Sequence, residues 1–263
     1  LYPFVFPARN RNRLPKQIVH RAGYYCIDLF TPLNAGALTC ARDAVNCALT
    51  GARVIRKGPH RIAYALVRPP GHHAESSCFG GYCYLNSASI AAHYLSRNGK
   101  VAMLDLDYHH GNGHQEIFYR RNDVLTVSIH RDPAYEFPYY TGYRDERGEG
   151  EGKGFNHNFP LGEQVDGDAY RGVLRQAVNL IAGFDPAFLL VPLGLDTSKR
   201  DPLGTWELTP PDFRQNGRIV GSLGVPTLVV QEGGYNVRVI GKNACWFFIG
   251  LWEGLYSRMT ETD

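Results

Sequence analysis

Five short apolar runs punctuate the chain, at residues 62–67, 101–106, 124–129, 188–193 and 227–230, and each hands over directly to a polar cluster. Runs of this length, bounded by turn residues and lacking strict alternation, mark strands buried on both faces of a parallel sheet. Between them, residues 86–95, 113–119, 168–181 and 211–223 carry helical spacing. Residues 41–49 do so upstream, with Thr39 as the expected cap and Gly51 as the expected stop. The alternation predicts an α/β fold with an open, mainly parallel sheet flanked by helices. It also says where function must sit, because ligands of such sheets bind beyond the carboxyl ends of the strands.

The polar clusters at those ends carry chemistry. The first run leads into Arg68-Pro-Pro-Gly-His72-His73 and the second into Asp107-Tyr-His109-His110-Gly-Asn112. The third ends at His130, the fourth at Gly-Leu-Asp196 and the fifth at Gln-Glu-Gly-Gly-Tyr235. Asp105, Asp107 and His109 alternate, which on an extended backbone turns them to one side. Two carboxylates and an imidazole on one face call for a cation, and Asp196 adds a carboxylate from another strand end. Asp107, His109 and Asp196 are the expected set, three protein ligands with an open position as in catalytic zinc sites. The mixed oxygen and nitrogen shell also suits iron(II), cobalt(II) or manganese.

Beside such a metal, a neutral imidazole is a ready general base. The Pro69-Pro70-Gly71 run stiffens the approach to the His72 and His73 pair. Asp105 would orient and charge-stabilise one of them, and Asn112 would hold the other without adding charge. Tyr235, after two glycines, can bring a phenol over the metal as an oxyanion donor. His110, His114 and His130 are expected to be packing or surface residues.

Charge and cysteine usage narrow the class. Lys and Arg number 28 against 25 acids, a net +3 that argues against nucleic acid as a partner. Arg9, Arg11, Arg13, Lys16 and Arg21 all precede the first acid, Asp28, and read as a surface arm without chemistry. The six cysteines form no C-x-x-C pair and are expected to be reduced and buried. No run approaches the roughly 18 to 20 apolar residues of a membrane span, and no export signal opens the sequence, so a cytoplasmic location is expected. Residues 143–154, glycines interleaved with charges, read as a mobile surface loop.

Together, Arg68-Pro-Pro-Gly-His-His, Phe79-Gly-Gly-Tyr-Cys-Tyr-Leu-Asn86, Asp105-Leu-Asp-Tyr-His-His-Gly-Asn-Gly113, Leu193-Gly-Leu-Asp-Thr197 and Glu232-Gly-Gly-Tyr235 resemble the zinc-dependent histone deacetylase family over about residues 60–240. Within it, the chain is most similar to the bacterial acetylpolyamine amidohydrolases, through Asp132-Pro-Ala-Tyr-Glu-Phe-Pro138, Gly142-Tyr143, the stretch around Phe4 and residues 33–51. The resemblance implies an arginase-like fold, zinc on Asp107, His109 and Asp196, and a catalytic set of His72, His73, Tyr235, Asp105 and Asn112. It further implies a potassium ion on the Asp105 side chain, the Ser128 hydroxyl and main-chain oxygens of Asp105, Asp107, His109 and Ile129. Gly81, Tyr82 and Phe137 would line an acyl channel with Leu203 at its rim, where an alkylammonium arm gains apolar contact and weak cation-π attraction.

Asn112 stands where many nuclear members carry Asp, which weighs against a histone-specific substrate. Leu203 is apolar and gives no sign of reading polyamine charge. Residues 1–263 therefore read as a single catalytic domain without the family's N-terminal segment. The expected function is a metal-dependent amidohydrolase acting on a primary-amine acetamide, foremost an acetylpolyamine, with protein acetyl-lysine as the alternative. A binuclear manganese ureohydrolase would need further Asp and His ligands at the strand ends, and a non-catalytic acyl-lysine reader would not need every catalytic position filled. The partners expected are the acetylated substrate and a second copy of the chain, with neither nucleic acid nor membrane.

Overall fold

The computed structural model describes residues 13–259, so the stretch around Phe4, Arg9 and Arg11 lies outside the described residues. The sheet contains β1 (Ile62–Ala65), β2 (Val101–Asp105), β3 (Val124–Arg131), β4 (Asn156–Leu161), β5 (Phe188–Leu193) and β6 (Thr227–Gln231). Their order is β1-β6-β5-β2-β3-β4, and every pairing is parallel. The helices are α1 (Ile18–Tyr25), α2 (Ala37–Lys57), α3 (Ser87–Ser96), α4 (Asn112–Phe118), α5 (Gly167–Phe184), α6 (Pro210–Gly221) and α7 (Ile240–Met259).

The apolar runs make the strands because both sheet faces are covered. One core joins the inner faces of α5, α6 and α7 to Leu104, Val127, Leu189 and Val191; the other joins α2, α3 and α4 to Met103, Leu190, Leu228 and Val230. Helix starts follow side-chain chemistry: Asn86 caps α3 by accepting from Ser89 N at 2.9 Å, and Asp166 caps α5 through Ala169 N at 2.9 Å. Among the described residues no helix is long and apolar enough to cross a membrane.

Several expectations are corrected. Helix α2 runs from Gly36 to Gly58 as its flanking residues, not from Thr39 to Gly51. Its buried stripe Ala37, Ala41, Ala44, Ala48, Ala52 and Ile55 is continuous, and Gly51 serves close packing instead of termination, since a Cβ there would lie 2.6 Å from Leu228 Cδ1 on β6. Strand β4 opens on the polar run Asn156-His-Asn158; Asn156 and Asn158 are buried because both donate to Gln115 Oε1, at 2.9 and 2.7 Å. Strand β3 continues to Arg131, which places His130 inside the strand.

The cysteines divide by position. All six are free, but only Cys78 and Cys83 are buried; Cys40, Cys47 and Cys245 are exposed on the outer faces of α2 and α7. Arg13, Lys16 and Arg21 are exposed. Residues 143–154 are tied down more than their composition suggests, because the Glu146 carboxylate accepts from Gln115 Nε2, Thr141 Oγ1 and Gly142 N at 2.7 to 2.9 Å.

Candidate active site

The segment after β2 is not the extended strand that the alternation of Asp105, Asp107 and His109 suggests. It leaves the sheet at Asp105 and bends through residues 107–109. Each acid accepts the backbone N-H two residues on: Asp107 N donates to Asp105 Oδ1 at 3.0 Å, and His109 N donates to Asp107 Oδ1 at 2.9 Å. Such local side-chain to backbone bonds stabilise a turn, and here they gather the polar groups that a strand would have spread.

Asp196 arrives after the neighbouring strand β5. Asp107, His109 and Asp196 each offer a ligand atom within 4.8 Å of the others. Backbone amides also hold the far oxygen of each acid, Asp107 Oδ2 accepting from Gly233 N at 2.8 Å and Asp196 Oδ1 from Tyr108 N at 3.0 Å. Their other oxygens turn to His109 Nδ1, at 3.2 Å from Asp107 Oδ1 and 3.3 Å from Asp196 Oδ2. Asp196 Oδ2 is buried and has no hydrogen-bond partner. Burial and the Asp107 charge push the Asp196 carboxyl up to about 7. His109 rises to about 10, because its hydrogen bond to Asp107 and the charges of Asp196 and Asp107 outweigh its burial. An orphaned carboxylate oxygen beside a second buried acid is a site short of positive charge, and the donor set fits a divalent metal.

The tandem histidines stand over this cluster with ring centroids 3.9 Å apart, in unlike settings. His72 Nδ1 meets Asp105 Oδ2 at 3.0 Å, and its Nε2 lies 3.7 Å from Asp107 Oδ1. Burial opposes its charge, yet Asp107 and Asp105 prevail and raise its pKa to about 10. His73 Nδ1 meets Asn112 Oδ1 at 2.8 Å. The Asn112 amide nitrogen donates to His73 O at 3.2 Å and Glu75 Oε1 at 2.8 Å, which fixes the oxygen toward the ring. An amide oxygen only accepts, so the neutral His73 carries its proton on Nδ1 and leaves Nε2 as a base. Burial, then the charges of His72 and His109, hold the His73 pKa well below the ordinary value.

Tyr235 is held by a residue that sequence reasoning passed over. The Asp201 carboxylate accepts from Tyr235 N at 2.8 Å and Asn236 N at 3.0 Å, while its other oxygen takes Leu203 N at 3.0 Å. One buried acid thus joins the Tyr235 turn to the Leu203 rim; a lone Asp before Pro202 gave no motif to find it by. Burial, reinforced by Asp196 and Asp107, keeps the Tyr235 phenol protonated far above its usual range.

A cavity of about 300 Å³ leads to His73 and His109, and Gly81, Tyr82, Phe137, Leu203, Tyr235 and Glu136 line it. Phe137 packs edge-on to His73 at 4.7 Å between centroids, and Leu203 is partly exposed at the mouth. Gly81 has φ +56, and a Cβ there would fall 2.2 Å from the His73 ring, so only glycine allows the wall to approach the base so closely. A larger cavity of about 680 Å³ lies beyond Tyr82 and Tyr235, lined also by Tyr64, Leu66 and Glu232.

Asp105 and Ser128 are cross-strand neighbours on β2 and β3, with Ile129 the next residue along. His110, His114 and His130 are buried beside the site. His130 Nε2 lies 2.9 Å from the Gly142 carbonyl and its Nδ1 is 2.8 Å from Ser128 Oγ; the His110 ring lies tilted against it at 4.4 Å between centroids; and His114 Nδ1 pairs with Ser89 Oγ at 2.8 Å.

Residues 8–251 match the family model described as the histone deacetylase domain. The chain belongs to the histone deacetylase family. Acetylpolyamine amidohydrolase 1 of Pseudomonas aeruginosa is 47% identical over 244 residues, covering 91% of this chain and 70% of the relative. The acetylpolyamine amidohydrolase of Mycoplana ramosa is 43% identical over 241 residues, covering 90% and 70%. A crystal structure of acetylpolyamine aminohydrolase from Burkholderia pseudomallei superposes with a TM-score of 0.91 at 38% identity, covering 95% of this chain and 72% of that one. As a histone deacetylase family member the chain is a metal-dependent deacetylase, and its parallel sheet flanked by helices is the fold of that family.

Proposed function

We propose that the protein is a zinc-dependent acetylpolyamine amidohydrolase. The observation that carries this reading is the convergence of the Asp107, His109 and Asp196 cluster with His73 at the foot of one cavity walled by Tyr82 and Phe137. Bacterial acetylpolyamine amidohydrolases are 43% to 47% identical to the chain over most of its length, which supports the substrate class.

Asp107, His109 and Asp196 would hold the zinc, which when bound supplies Lewis-acid activation of the acetyl carbonyl and of the attacking water. His73 Nε2 takes the water proton and later returns one to the departing amine. His72, kept charged by Asp105, stabilises the negative charge that develops. The Tyr235 hydroxyl donates to the tetrahedral oxyanion, for which its high pKa suits it. A potassium ion would sit on Asp105, Ser128 and main-chain oxygens of Asp105, Asp107, His109 and Ile129. The Ser128 hydroxyl proton is engaged by His130 Nδ1, which leaves the oxygen lone pairs free for a cation.

The test is a panel of acetylputrescine, acetylspermidine and acetyl-lysine peptides assayed with the zinc-loaded protein. Higher kcat/KM on the acetylpolyamines is expected, and a preference for the peptides would replace this reading with protein deacetylation.

A further inference from the structure

Glu136 is the only acid among the residues that line the channel cavity, whose other walls are aromatic or apolar apart from His73 and His109. Its Oε1 accepts from Phe137 N at 3.0 Å, and its side chain keeps 28% of its surface accessible. The His109 ring has its Nε2 4.0 Å away, and among the described residues no Lys or Arg forms an ion pair with Glu136. A carboxylate thus lines the channel together with Phe137 and Tyr139, and no Lys or Arg among the described residues pairs with it.

We propose that Glu136 is the specificity-determining residue that binds the distal ammonium of the substrate. This inference rests on the acetylpolyamine reading above and gives it a recognition element that the apolar Leu203 does not supply. A substrate whose acetamide reaches the metal cluster passes its methylenes between Tyr82 and Phe137, and a free amine four carbons further on emerges toward the lip. There a partly exposed carboxylate pairs with an ammonium at modest desolvation cost, while the aromatic faces add cation-π attraction. An uncharged chain of the same length gains only the apolar contact.

Acetylputrescine and N-pentylacetamide differ by an ammonium against a methyl group, so together they isolate the charge. Turnover of both is measured with wild-type protein and Glu136→Gln, with bound metal determined in each. Wild type should prefer acetylputrescine, and Glu136→Gln should lose about tenfold in kcat/KM on it while keeping N-pentylacetamide turnover and metal content. Raising the ionic strength should erode the wild-type preference and leave the variant unaffected. An equal fall on both amides would assign Glu136 to support of His109, and no change on either would remove it from recognition; both overturn the proposal. Wild-type protein that hydrolyses acetyl-lysine peptides and neither small amide would refute the acetylpolyamine reading itself, and this inference with it.

Discussion

Asn112 Oδ1 stands 2.8 Å from His73 Nδ1, and Glu75 holds the amide from behind, so the base proposed for this site is backed by a neutral group. Its neighbour His72 is backed by a carboxylate instead. The two rings touch, yet one is set to exchange a proton and the other to keep its own.

Replacing Asn112 by Asp tests that division. A negative charge behind His73 favours its imidazolium and raises a pKa that the native site holds low. The base is then unprotonated only at higher pH, so the ascending limb of kcat/KM against pH should move upward. That limb reports His73 and the activated water as a coupled pair. A limb that stays in place would show that His73 is not the proton acceptor.

Asp196→Ala should bind little metal. Its Oδ2 is the buried oxygen left without a partner, and two remaining ligands form an incomplete shell. Elemental analysis after equilibration with zinc decides it: full occupancy with unchanged activity would remove Asp196 from the site.

Tyr235→Phe retains the ring and the backbone bonds to Asp201 but removes the oxyanion donor. Turnover should fall roughly a hundredfold or more, with KM little altered. Wild-type kcat in this variant would leave Tyr235 a wall residue.

His130 offers a test outside the Asp107, His109 and Asp196 cluster. Burial lowers its pKa to about 4, so between the ordinary histidine pKa near 6.5 and that value the unfolded chain takes up a proton that the folded chain refuses. The stability due to neutral His130 is therefore complete above about pH 6.5 and declines as pH falls. His130→Asn should be less stable than wild type at pH 7, through loss of the Gly142 contact, and the gap should narrow by pH 4.5. Urea midpoints of the two proteins that run parallel across this range would contradict the assignment.

The reach of the sequence can be argued from particular residues. The strands and the site's polar groups were legible because a doubly covered parallel strand must be apolar along its length, so Asp107, Asp196 and Tyr235 stand out where the runs stop. Strand β4 was not legible, since Asn156 and Asn158 are buried by a bond network with Gln115 and not by apolar content. The bend at residues 107–109 was hidden because alternation along a strand and carboxylate-capped turns leave the same spacing. Asp201 was missed because its partners are backbone amides, which no side-chain pattern records.

The candidate metal ligands Asp107, His109 and Asp196 come from the loops of β2 and β5, which pair with each other although β3, β4 and α5 lie between them in the chain. No local segment can assemble the cluster, and it exists only once that long-range pairing has closed. Bringing Asp107 and Asp196 together also sets like charges side by side, so without a cation this last closure is opposed at the centre of the sheet. Metal uptake should therefore report completed folding of the whole parallel array, and the apo protein should open first where β2 meets β5.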